Sequence, residues 1–142
     1  MTSGWLFWAV LSAIFAAFTA ILAKVGVENV NSDYATFVRT IVILLVLGII
    51  LFSLGEFPSF GSVSARTYAF LGLSGLATGA SWVCYFRALK LGPASQVAPV
   101  DKMSVVLVAI FGVIFLSEHL SWANWLGVVL IAGGAILLSL KF

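Results

Sequence analysis

The residues best suited to a chemical role lie in the run Pro99–Lys102, which contains Asp101 beside Lys102. An uncharged run of 15 residues, Met103–Ser117, follows them. Fifteen helical residues cover only about 22 Å of a bilayer core about 30 Å thick. A helix that crosses the membrane must therefore begin near Ala94. Both charges then lie below the headgroups, where ionisable side chains usually face the protein interior or water.

Pro99 cannot donate a backbone hydrogen bond, so a helix is expected to start there or to be interrupted there. Interrupted helices beside charged residues recur in transporter sites. Asp101 is the candidate protonation site, because a carboxylate at membrane depth can titrate near neutral pH. The alternative is that Asp101 and Lys102 reach back to the interface and act as anchors.

Asp101 and Lys102 are expected to find separate partners, because adjacent helical positions point about 100° apart. Arg39 and Arg87 lie near the same ends of the second and third apolar stretches. We predict that Asp101 pairs with one of these two arginines. The four residues would form a charge network, with a structural latch as the first interpretation and a gate or proton-coupling device as the alternatives.

A second polar feature lies on the third apolar stretch, where hydroxyl-bearing residues recur at helical spacing: Ser74, Thr78, Ser81 and Tyr85. Such hydroxyls either bond to carbonyls of their own helix or line a polar cavity. Small residues run beside them, at Gly72, Gly75 and Gly79. Glycines in membrane helices let backbones approach closely, so this face predicts tight helix packing.

Five apolar stretches of membrane-spanning length must position these residues. They are 5–23, 34–55, 67–89, 94–117 and 122–140. With 63% hydrophobic and 8% charged residues, the composition excludes a water-soluble fold, an extramembrane catalytic domain and a nucleic-acid surface. The sequence predicts an all-α integral membrane bundle of five transmembrane helices in one domain, 1–142.

The basic residues predict an orientation in the cell (inner or plasma) membrane. Six of the seven lie on or nearest one side, namely Lys24, Arg39, Arg87, Lys90, Lys102 and Lys141, and Arg66 lies on the other. The positive-inside rule places the six in the cytoplasm, with the N-terminus outside and the C-terminus inside. Lys24, Glu28 and Asp33 then bound a cytoplasmic loop and are expected to be solvated.

Motifs for catalysis or cofactor binding are missing from the sequence. It has no Ser/His/Asp set, phosphate-binding loop or redox motif, and His119 lacks a second metal ligand nearby. We therefore expect neither an enzyme nor a bound metal or cofactor.

Several segments resemble the EamA domain, the repeat unit of the drug/metabolite transporter superfamily. Tyr85–Ser95 resembles the junction of its third and fourth helices, and Phe115–Ser121 its Leu-Gly-Glu-x-Leu-Ser turn. Trp125–Gly134 is similar to its fifth helix, and Phe37–Arg39 to its Phe/Arg signature. The resemblance covers essentially the whole chain. Most members carry two inverted five-helix repeats, whereas this chain resembles one repeat alone.

The resemblance implies that the third and fourth helices line a central cavity. The residues it points to for substrate binding are Ser74, Thr78, Ser81, Trp82 and Tyr85, with Gln96 and Asp101 at the inner mouth. The first hypothesis is a transporter of a small polar or amphipathic metabolite, acting in the bilayer as a homodimer, with proton coupling through Asp101 left open. The alternatives are a membrane subunit that stabilises or modulates a partner without transport and, less favoured, an ion or water channel. The charge bias disfavours an antiparallel dimer.

Overall fold

A computed structural model describes residues 4–58 and 61–140. In these ranges the chain folds into helices and contains no strand, and 84% of it is helical. The helices are α1 (Gly4–Val27), α2 (Ser32–Leu54), α3 (Ala65–Leu91), α4 (Ala94–Asp101), α5 (Ser104–Leu116) and α6 (Trp122–Ser139). α4 and α5 together form one span, so five segments are long and apolar enough to cross a membrane. The predicted all-α membrane fold is confirmed. Lys141 lies outside the described residues.

Capping fixes the ends of α2. The Asn31 side chain accepts hydrogen bonds from the amides of Asp33 at 2.8 Å and Tyr34 at 3.2 Å, which starts the helix at Ser32, before the predicted residue 34. The helix ends at Gly55, whose φ of 65° is the left-handed conformation that glycine adopts without strain.

The fourth span is interrupted after Pro99, not at it. Pro99 lies inside α4, and the helix stops at Asp101. The Met103 amide donates to the Val100 carbonyl at 3.0 Å, three residues back, and the Val105 amide donates to Lys102 with the same spacing. The backbone thus tightens into a short turn before α5 begins. The expected break is present, but it is displaced to Lys102 and Met103, directly after Asp101.

The turn between α5 and α6 is built without glycine at its left-handed position. Ser117 ends α5 with φ 56° and ψ 31°, and the Glu118 amide donates to the Gly112 carbonyl at 3.1 Å. The Ser121 side chain then accepts from the Asn124 amide at 3.3 Å and caps α6. This geometry sets the end of α5 and the start of α6.

The chain divides into two compact units, one made of 1–22 with 91–142 and the other of 23–90. In the first, α6 packs against α4 and α5. The second contains the end of α1 with α2 and α3. Its buried residues cluster where those helices meet, and Val27 and Leu89 are completely buried there.

Candidate functional site

An ion pair joins the start of α2 to the end of α3 in the unit 23–90. Arg87 Nε donates to Asp33 Oδ1 at 3.0 Å, and Arg87 Nη2 donates to Asp33 Oδ2 at 2.7 Å. The two parallel bonds match the planar fork of the guanidinium to the carboxylate. Asp33 also lies in the first turn of α2, where the positive end of the helix dipole favours a negative charge.

Two lysines donate hydrogen bonds to backbone carbonyls at the same end of the unit. Lys24 Nζ donates to the Leu89 carbonyl at 2.7 Å, and Lys90 Nζ donates to the Val30 carbonyl. Basic side chains satisfy carbonyls that a helix leaves unpaired near its C-terminus. We call the set Lys24, Asp33, Arg87 and Lys90 the inner latch. It links the α1–α2 connection to the last turn of α3.

The inner latch corrects one prediction and leaves another open. Glu28 and Asp33 are exposed, as expected, and Asp33 in addition pairs with Arg87. Lys24 was expected to be solvated as well, but it is partly buried and binds the Leu89 carbonyl of α3. The sequence did carry a signal for Asp33, because Asn31 and Asp33 form a typical helix start. An ion pair from Asp101 to Arg39 or Arg87 would join residues of the two units, and it stays a prediction.

Arg39 lies against aromatic rings of α3. Its Cζ is 4.3 Å from the centroid of the Trp82 ring and 5.5 Å from that of Phe86. Phe86 is buried and meets Tyr85 edge to face, with ring centroids 6.4 Å apart. A guanidinium over an indole face is held by the ring quadrupole. We call Arg39, Trp82 and Phe86 the arginine platform.

The hydroxyl stripe on α3 is exposed around the middle of the helix. Ser74, Thr78 and Ser81 are all exposed, and Thr78 Oγ1 donates to the Ser74 carbonyl at 2.9 Å. Thr78 therefore follows the alternative in which a hydroxyl bonds to its own helix. An open cavity of about 570 Å³ reaches Ser74 and is lined otherwise by Arg66, Thr67, Phe70 and Leu71.

The glycine face beside this stripe has no neighbour in the chain. A Cβ placed on Gly72, Gly75 or Gly79 would meet no atom of the described residues within 4 Å. Within the unit 23–90, the predicted tight packing at these glycines is therefore absent.

In the other unit, Asp101 and Lys102 pair with each other. Lys102 Nζ lies 3.3 Å from Asp101 Oδ2, which contradicts the expectation that adjacent residues take separate partners. The backbone of Lys102 is still helical, with its amide bonded to the Ala98 carbonyl at 3.2 Å, so the pairing depends on the length and flexibility of the lysine side chain. The Asp101 side chain is 34% exposed. Gln96 is partly buried about one and a half turns earlier in the span.

The predicted site residues therefore fall into two groups. Arg39, Arg87, Ser74, Thr78, Ser81, Trp82 and Tyr85 belong to the unit 23–90, and Gln96, Asp101 and Lys102 belong to the other. The structure brings Arg39 onto Trp82 and Asp101 onto Lys102. Over the residues that the structure describes, no three His, Cys, Asp or Glu side chains are grouped to hold a metal ion.

Comparison with known proteins gives a match over nearly the full chain. The sequence profile of the EamA-like transporter family matches residues 3–140. A relative from Sinorhizobium sp, named an uncharacterized transporter in the cobO 3′ region, is 59% identical over 139 residues. These cover 98% of this chain and 99% of the relative. No solved structure matches the chain significantly.

Proposed function

This chain belongs to the EamA-like transporter family, and from that premise we propose that it is one subunit of a homodimeric transporter for a small polar or amphipathic metabolite. Family membership makes it a multi-pass membrane transporter and not an enzyme. The solute, the dimer and the coupling are the proposed parts.

The observation that carries the dimer is the uncovered outer face of α3. In α3 the buried residues are Phe86 and Leu89, both near its inner end. Toward the outer end, exposed hydroxyls run beside a glycine face that no described residue touches. In lipid, glycines and hydroxyls favour helix association, since apolar side chains gain little from contact with one another. A second copy laid on this face would pack the glycines and enclose the hydroxyls Ser74, Thr78 and Ser81.

Tyr85 and Gln96 are proposed to contact the solute.

Proton coupling is proposed to take place at Asp101. Asp101 is the last residue of α4, beside the interruption of the fourth span, and its one ion-pair contact within its unit's described residues is Lys102 at 3.3 Å. A carboxylate held by a single long contact can exchange a proton without dismantling a larger network. Protonation would break the ion pair with Lys102 beside the turn between α4 and α5.

The proposed orientation keeps the N-terminus outside and the C-terminus in the cytoplasm. Lys24, Arg87 and Lys90 are drawn together at one end of the unit 23–90 by the inner latch. Basic residues concentrated at one membrane face support a cytoplasmic location for that end. Two copies inserted in the same direction then form a parallel dimer.

Flux into proteoliposomes tests the proposal. Purified protein in liposomes is offered a defined mixture of small polar and amphipathic metabolites, with and without a pH gradient, and mass spectrometry measures uptake. We expect at least one metabolite to accumulate under the gradient. Asp101→Asn should abolish the effect of the gradient while gradient-free exchange continues.

Glu56→Gln is the matched control, since it also removes one carboxylate, but from an exposed position after α2. This variant should keep the gradient response. If folded, inserted protein moves no metabolite in the mixture, the transporter proposal fails and the non-transporting subunit is favoured. If Asp101→Asn keeps the full gradient response, coupling at Asp101 is excluded.

A further inference from the structure

Arg39 carries its charge well inside the second span. It lies seven residues after the start of α2, about 10 Å along the helix at 1.5 Å per residue. Trp82 lies nine residues before the end of α3, at about 13 Å. An arginine near a helix end can extend its side chain to the headgroups. Here the guanidinium lies on Trp82 and Phe86 instead, and Arg39 is partly buried.

The carboxylates of the same unit do not neutralise Arg39. They are Glu28, Asp33 and Glu56. Asp33 is held by both donors of Arg87, and the other two are exposed. Among the described residues of 23–90, none forms an ion pair with Arg39. Aromatic rings hold a cation, but they supply no counter-charge.

The platform has the features of a carboxylate site. A guanidinium has five donors in a rigid plane and matches a carboxylate with two parallel bonds. Stacking on Trp82 fixes that plane before any ligand arrives, so less side-chain freedom is lost on binding. One guanidinium neutralises one negative charge. A phosphate dianion would leave a charge uncompensated in a low-dielectric environment, which is costly.

We infer that the arginine platform binds the carboxylate of a small monoanion with an apolar body. Trp82 and Phe86 supply apolar surface beside the charge, and Thr78 lies one turn from Trp82 on the same face of α3. This inference rests on the proposed transport function and narrows its solute to amphipathic monocarboxylates.

Ligand-observed fluorine NMR on the full chain in lipid nanodiscs tests the site with 4-fluorobenzoate as the probe. The uncharged isostere 4-fluorobenzamide and empty nanodiscs serve as controls for partition into lipid. We expect the benzoate to bind at least tenfold more tightly than the benzamide, and unlabelled phenylacetate or octanoate to displace it. Equal binding of the acid and the amide would overturn the inference, as would a failure of all three carboxylates to bind.

Variants locate the binding. Arg39→Gln should weaken 4-fluorobenzoate at least tenfold, and Arg39→Lys should restore only part of the affinity, because the ammonium lacks the planar fork. Arg66→Gln is the matched control, since Arg66 lies over Phe70 with its Cζ 5.8 Å from the ring and is exposed near the start of α3. It should bind as the wild type does. Equal loss in Arg39→Gln and Arg66→Gln would refute a site at the platform.

The comparison of acid and amide uses only the wild-type protein, so it holds even if a variant fails to fold. Binding also separates this inference from the proposed function. If carboxylates bind but no solute is transported, the transporter proposal fails and the carboxylate site stands. If a solute is transported while no carboxylate binds or inhibits its transport, the carboxylate site fails and the transporter proposal stands.

Discussion

The C-terminal end of α3 and its middle differ in how completely the unit 23–90 covers them. At the C-terminal end, Arg87 binds the first turn of α2, Lys90 binds the Val30 carbonyl, and Leu89 is completely buried. In the middle of the helix, hydroxyls and glycines of similar helical spacing are exposed or meet no neighbouring atom of this unit. One helix thus combines a segment that its own unit stabilises with a segment that its own unit leaves uncovered.

The difference separates stability from association. Changes in the inner latch should act on folding, because its contacts lie within the unit 23–90, and changes at the arginine platform should act on both folding and solute binding. Changes on the glycine and hydroxyl faces of α3 should act on association and flux, because the unit 23–90 leaves those faces uncovered. Five substitutions test this division.

The largest effect is expected for Gly75→Leu on the glycine face. The added side chain meets nothing within one copy but would keep a second copy at a distance, so we expect the dimer fraction and the flux to fall about tenfold, the equivalent of about 1.4 kcal/mol of association energy. Single-molecule photobleaching in liposomes measures the dimer. Gly48 on α2 is equally free of neighbours within 4 Å, and Gly48→Leu should change neither the dimer fraction nor the flux. A dimeric, fully active Gly75→Leu would refute the division.

The second largest effect, a loss of stability, is expected for substitutions in the inner latch. Arg87→Gln and Asp33→Asn should each lower the midpoint of denaturant-induced unfolding in mixed micelles, because each leaves a charge without its bidentate partner. The double variant should be no less stable than the worse single variant, since both changes remove the same interaction. Additive losses would show that the two residues act separately. Dimer formation by protein that remains folded should not change.

A smaller effect is expected for the aromatic support of Arg39. Trp82→Leu should cost about 1 kcal/mol of unfolding free energy, the order of a partly desolvated cation–π contact. Phe70→Leu is the matched comparison near the start of α3. The Cζ of Arg66 lies 5.8 Å from the Phe70 ring, whereas the Cζ of Arg39 lies 4.3 Å from the Trp82 ring. It should cost half as much or less. Equal losses of unfolding free energy in Trp82→Leu and Phe70→Leu would show that the two aromatic contacts stabilise the protein equally.

The smallest effect is expected for Thr78→Val. The Thr78 hydroxyl bonds to the Ser74 carbonyl of its own helix, so its removal should change the unfolding free energy by less than about 0.5 kcal/mol. Flux should fall if this face lines the solute path. A large loss of stability with normal flux would place Thr78 among the folding contacts instead.

The fold followed from the sequence because bilayer thickness and hydropathy constrain it strongly. All five predicted spans are present, and the fold class is confirmed. Their ends differed by up to four residues, as in α1, which was predicted to end at residue 23 and ends at Val27. Ends depend on capping and turn bonds, such as those of Asn31 and Ser117, which hydropathy does not register.

The partners of charged residues were harder to predict. Within the unit 23–90 the partner of Arg87 is Asp33, a pairing that the sequence analysis did not predict. Choosing between carboxylates requires the rotation of each helix about its axis, which an almost uniformly apolar helix does not reveal. The pairing of Asp101 with Lys102 was missed for another reason, since the helical angle between adjacent residues does not limit how far a long lysine side chain can reach.

The inner latch also has a consequence for the order of events during biosynthesis. Its contacts join residues 54 to 65 positions apart in the chain. At 5–20 residues per second, synthesis takes about 3 to 13 s to go from the first partner to the second. For that interval α1 and α2 exist without the contacts that α3 will supply. The latch therefore belongs to the later part of folding and can form only after the end of α3 has been made.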